Sequence, residues 1–63
     1  MTEKNYIISK EGRQISNITR CGEVTILNAA LGVAYSESEE NFQYYINVLK
    51  ENGYKITIKE RSL

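Results

Sequence analysis

The side chains with the most chemical potential in this sequence are Cys21 and the acidic run Glu37, Glu39 and Glu40. A cysteine becomes a nucleophile when a base or a positive neighbour lowers its pKa. The sequence has no histidine, and Arg20 beside Cys21 is a weak substitute for one, so Cys21 reads as a small side chain at a turn. The three glutamates could serve acid–base chemistry or a hard metal ion. Carboxylate pairs of the glycosidase type need a cleft, which 63 residues hardly provide. The helix dipole already accounts for acids at a helix start. With one cysteine and no histidine, neither an intrachain disulfide nor a structural zinc site is expected. Gly12, Gly22, Gly32 and Gly53 stand singly, so no phosphate-cradling loop is present. No catalytic, cofactor-binding or metal-ligating residue is assigned, no cofactor is expected, and the protein is expected not to be an enzyme.

Binding remains. Net charge is zero, with bases in the first and last thirds and only acids between residues 21 and 40. If Lys10, Arg13, Lys55 and Lys59, with Arg20 and Arg61, share one sheet face, they form a modest basic stripe for nucleic acid. Leu31-Gly32-Val33 followed by Ser36–Tyr45 superficially resembles the turn into the recognition helix of a helix-turn-helix. However, the segment that would enter DNA is Ser-Glu-Ser-Glu-Glu-Asn, acidic where phosphates demand Lys or Arg. Zero net charge also argues against a DNA mimic. A nucleic-acid-binding regulator is therefore the second functional expectation.

The elements that position these residues follow from local patterns. Residues 5–9 (NYIIS) and 13–19 (RQISNIT) predict a hairpin closed by Lys10-Glu11-Gly12. Ile15 and Ile18, three apart, can share a face only through a bulge. Cys21-Gly22 is the next turn, and a third strand is predicted over about 23–34. Its phase slips after Ile26, which calls for a second bulge, or for a short helix over 25–31. Ser36 and Glu39 form the S-x-x-E pattern of a capping box. Lys50 and Asn52-Gly53 mark the other end, so a helix over about 37–52 is predicted. Phe42, Tyr45, Ile46 and Leu49 give its apolar stripe. Residues 54–60 (YKITIKE) alternate as a half-buried strand, entering the sheet beside the third strand, with Arg61-Ser62-Leu63 as a frayed tail. The expectation is one α+β domain over 1–63, two layers in β-β-β-α-β order, with one amphipathic helix on a short, largely antiparallel sheet.

A chain this short buries only about 60% of its unfolded surface, so self-association is an expected source of stability. No stretch approaches the roughly 20 apolar residues of a membrane span, and the polar start lacks a signal-peptide core. A cytoplasmic protein with no membrane partner is expected. Residue usage without Asp, Trp or Pro, rich in Ile, Asn, Lys and Tyr, hints at an AT-rich genome.

The most informative feature is an apolar surplus on the helix. Phe42, Tyr44, Tyr45, Ile46, Val48 and Leu49 cover an arc of roughly 200°, at 100° per residue, where a sheet-packed helix needs about 100°. Tyr44 and Val48 form a second ridge, and the apolar run through Leu31 and Tyr35 adds further surface. An interface of Tyr44, Tyr45, Val48, Leu31 and Tyr35 is the leading expectation. Such a protein would bind a second copy of itself or a host protein. The most concrete form is a phage- or mobile-element-encoded inhibitor, and the other is a structural subunit of a larger assembly.

Overall fold

The computed structural model describes residues 2–27 and 33–62. Five strands and one helix follow in the order β1 (Thr2–Lys10), β2 (Arg13–Cys21), β3 (Val24–Leu27), β4 (Val33–Ser36), α1 (Glu39–Glu51) and β5 (Lys55–Ser62). The sheet is wholly antiparallel, in the spatial order β4-β3-β2-β1-β5. The α+β class and the two layers hold, while the element order is β-β-β-β-α-β. The strand expected over 23–34 is two strands. Thr25 lies opposite Tyr35 and Leu27 opposite Val33. The phase slip after Ile26 is a change of face and not a bulge: Val24 and Ile26 lie on the open side of the sheet, and Leu27, Val33 and Tyr35 on the helix side. The short helix weighed over 25–31 does not form at its start, because Thr25–Leu27 is strand. Part of that stretch, including Leu31, lies outside the described residues. Val33 belongs to β4, so the helix-turn-helix likeness does not extend to the fold.

The β1–β2 hairpin turns on two residues, with Lys10 opposite Arg13. Glu11 (φ 53°) and Gly12 (φ 78°) both take the left-handed conformation, the pattern of a type I′ turn whose twist matches the strands. β2 carries a bulge, but it does not bring Ile15 into the core beside Ile18. Ile8 faces Ser16 while Ser9 faces Gln14, leaving Ile15 as the extra residue. Ile18 is buried and Ile15 is exposed.

The closing strand departs from its expected place. β5 pairs with β1, not with the third strand, because side chains match across that seam: Ile56 faces Ile8, Ile58 faces Tyr6, Glu60 faces Lys4 and Arg61 faces Glu3. Arg61 and Ser62 are thus part of the strand, and Arg61 Nη2 sits 2.9 Å from Glu3 Oε2. The helix must cross one face of the sheet to reach that far edge. Phe42 and Ile46 point inward onto Tyr6, Ile8 and Ile18, with Leu27, Leu49, Tyr54 and Ile56 around them. Tyr6 and Phe42 meet edge to face at 4.8 Å.

The helix begins later than the S-x-x-E pattern suggested. Ser38 is the N-cap, its Oγ accepting from the Asn41 N–H at 3.2 Å. Ser36 lies opposite Val24 in the sheet, so its backbone cannot also start a helix. The far end is as expected. Gly53 (φ 85°) donates to the Lys50 carbonyl and Tyr54 to that of Leu49, the two bonds of a Schellman motif. No helix among the described residues is long and apolar enough to cross a membrane.

Candidate functional site

In an antiparallel pair, residues directly opposite share a face, so the register sorts every strand residue. Tyr6, Ile8, Ile18, Arg20, Thr25, Leu27, Val33, Tyr35, Ile56 and Ile58 point to the helix side. Asn5, Ile7, Asn17, Thr19, Cys21, Ile26, Ala34, Lys55 and Lys59 point to the open side.

This sorting divides the basic stripe. Lys55 and Lys59 are exposed on the open side of β5. Lys10 turns to the helix side, its Nζ 4.6 Å from the centre of the Tyr54 ring, and Arg13 lies opposite Lys10 at the hairpin tip. Arg20 is interior, with 3% of its surface exposed. The chain's five tyrosines and one phenylalanine are all on the helix side or on the helix itself, so the open face has no ring on which a base could stack. Its centre is a polar network in which Asn5 Nδ2 donates to Asn17 and, at 3.0 Å, to Thr19 Oγ1.

Arg20 is the residue that sequence reasoning misplaced. Its Nη1 donates to Thr25 Oγ1 at 2.9 Å and to the Glu37 carbonyl at 3.1 Å. Its Nη2 donates to the Gly22 carbonyl and to Glu39 Oε2, both at 3.1 Å. The guanidinium lies 4.5 Å over the Phe42 ring. One side chain therefore ties the β2–β3 turn to the start of the helix. Glu39 is spoken for, its second oxygen accepting from Gln43 at 2.9 Å. A pocket of about 170 Å³ opens beside this knot, lined by Thr2, Lys4, Tyr6, Arg20, Gly22 and Glu39. Among the described residues, no three Cys or Glu side chains converge to hold a metal ion. Cys21 lies on the open side, half-buried, opposite Glu3 and Val24.

No protein-family model matches the chain, and no curated protein or solved structure matches it either. The functional reading therefore rests on the surface itself.

Of the expected interface residues, Leu31 lies outside the described residues, and Tyr35, Tyr44, Tyr45 and Val48 are described. Tyr44 is 73% exposed, Tyr45 43% and Tyr35 40%, while Val48 is half-buried. Val33 beside Tyr35 is exposed as well. Tyr45 is close enough to Tyr35 and Tyr54 to feel them electrostatically. Burial first, then these two phenols, raises its pKa above the ordinary 10.0. Tyr45 thus bridges the Tyr44–Val48 ridge of the helix and the apolar side of β4. Ile46, which faces inward, is buried, so the surplus lies on the β4 flank.

Proposed function

We propose that this protein is a small, non-enzymatic protein-binding module that acts by contact alone, through the flank of Tyr35, Tyr44, Tyr45 and Val48. The observation that carries the reading is the exposure of three tyrosines, Tyr35, Tyr44 and Tyr45, with Tyr44 at 73%. Scattered apolar residues on a surface need no explanation, but a contiguous patch marks an interaction site. Tyrosine gives large amphipathic contact area with few rotors to freeze, which is why it is enriched at interfaces. Of the candidate chemical groups, Glu39 is already engaged, by Arg20 and Gln43. The AT-rich residue usage fits a module encoded by a phage or mobile element that antagonises a host protein.

The test is the pair Tyr44→Glu with Val48→Lys. Both positions lie away from the core of Phe42 and Ile46, so the circular dichroism of the helix is expected to persist. Dimerisation by light scattering, or retention of a host protein in affinity capture, is expected to disappear. A monomer before and after the change, with no captured protein lost, overturns the reading.

A further inference from the structure

The two edges of the sheet are unlike. β5 carries Lys55, Lys59, Glu60 and Arg61, whereas β4 is Val-Ala-Tyr-Ser, with no charge, no proline and every residue exposed. An edge strand presents unpaired N–H and C=O groups, and charged side chains are the usual guard against unwanted pairing. β5 is guarded and β4 is not.

The guard on β5 can be derived from geometry. Two copies that join antiparallel edges do so about a twofold axis perpendicular to the sheet. That axis preserves the faces, so the open-side row of one β5 meets the open-side row of the other. In this row stand Lys55, Thr57, Lys59 and Arg61. Every register that keeps more than half of the strand paired sets a lysine opposite a lysine or an arginine: Lys55 with Lys59, Lys55 with Arg61, Lys59 with itself, or Lys59 with Arg61. Like charges directly opposite are destabilising.

The same operation on β4 meets no such conflict. Centred on Ala34, it sets Val33 opposite Tyr35 on the helix side, a β-branched and aromatic pair of the favourable kind. Centred on Tyr35, it pairs Ala34 with Ser36 on the open side. Both arrangements put the two helices on the same face, with Tyr45 of each on the β4 side of its helix and Tyr44 further out toward solvent. An edge of four residues falls short of the roughly 1,000 Å² a specific interface needs. The part of the flanking tyrosines still exposed, 40% of Tyr35 and 43% of Tyr45, adds to that area on the helix side.

We propose that two copies of this chain join edge to edge through β4, continuing the sheet across a twofold axis, with Tyr35, Tyr44 and Tyr45 of both copies covering the seam on the helix side. This rests on the flank being a protein-binding surface, and names a second copy as what it binds.

Sedimentation equilibrium and concentration-dependent amide exchange on the unsubstituted chain test it, together with Ala34→Lys on the open side of β4, away from the flank. The expected results are a reversible dimer and exchange that slows with concentration on β4 but not on β5. Where the seam is centred on Ala34, Ala34→Lys weakens the dimer about fivefold, since the two new lysines then face each other. Where it is centred on Tyr35, Ala34→Lys combined with Ser36→Lys does so, while Lys59→Ala leaves the dimer unchanged. If either β4 variant loses its circular-dichroism signature, the concentration dependence of exchange on β4 decides instead. A monomer throughout, protection on β5, or a dimer indifferent to both β4 variants overturns the seam. A monomer that still loses a captured protein on Tyr44→Glu with Val48→Lys overturns the seam alone. A dimer indifferent to every variant on β4 and on the flank overturns both proposals.

Discussion

Arg20 shows at the residue scale what a buried charge does in so small a core. Its guanidinium is held by two carbonyls, a threonine and one carboxylate, and that carboxylate, on Glu39, is 63% exposed. A solvent-exposed partner contributes little through Coulomb attraction, whereas hydrogen bonds to a charged group are each worth about 1.5–3 kcal/mol. The two ends of the pair are therefore unequal. Arg20→Ala is expected to cost about 2–4 kcal/mol and Glu39→Ala about 1 kcal/mol or less, read as shifts in the urea midpoint. Since a domain of this size rarely holds more than about 3–5 kcal/mol, the first change should remove most of its stability. The position was legible in principle. Ile18 faces the core, and a residue two further along a strand must share its face; counting Arg20 among the surface bases ignored that parity. Tyr45 gives a second prediction. Its pKa is raised by burial and by Tyr35 and Tyr54, so the folded state favours the neutral phenol. Its contribution is complete below the unfolded value of about 10 and is lost as pH rises through the folded value. Tyr45→Phe should flatten the alkaline fall in stability, measured by urea melts on either side of that pH.

At the scale of elements, local chemistry was legible wherever a single segment decides the outcome. The Asn52-Gly53 stop needs only a left-handed residue at the end of the helix, and Gly12 marks the hairpin turn by its φ > 0. The turn nevertheless has two residues, Glu11 and Gly12, where the three of Lys10-Glu11-Gly12 were expected. The helix start was not local. Ser36 and Ser38 both precede glutamates, and the spacing to Glu39 favours Ser36 as cap. Pairing of Ser36 with Val24, thirteen-residue helix included, is what moves the cap to Ser38. Ser38→Ala is accordingly expected to cost about 1 kcal/mol and Ser36→Ala only a few tenths, compared by thermal melts of the two variants. The same non-local pairing hid the division of the third strand. Val24, Ile26, Leu27 and Val33 read continuously as apolar, and only the antiparallel match of Leu27 with Val33 separates two strands.

At the scale of the whole molecule, the core is too small for the surface left open. Among the described residues, five side chains form its buried part, Tyr6, Ile8, Ile18, Phe42 and Ile46, and the one cysteine allows no disulfide within the chain. The apolar surplus on the helix was visible in the sequence, because it depends on helical periodicity alone. Its placement beside an uncharged sheet edge was not, since β4 becomes an edge only when β5 crosses to β1. A dimer formed through that edge, as proposed above, would make stability a property of concentration. A partner that binds only the folded state adds RT ln(1 + [L]/Kd), and when the partner is a second copy the melting temperature climbs with protein concentration. For a domain of roughly 60 residues each kcal/mol gained at the midpoint moves Tm by about 4–8 °C. Differential scanning calorimetry over a wide range of protein concentrations should therefore show Tm rising several degrees. The rise should vanish in Tyr44→Glu with Val48→Lys, leaving Tm close to that of the dilute parent because neither side chain belongs to the core. A Tm independent of concentration in the unsubstituted chain would instead assign its stability to the core and to the Arg20 knot alone.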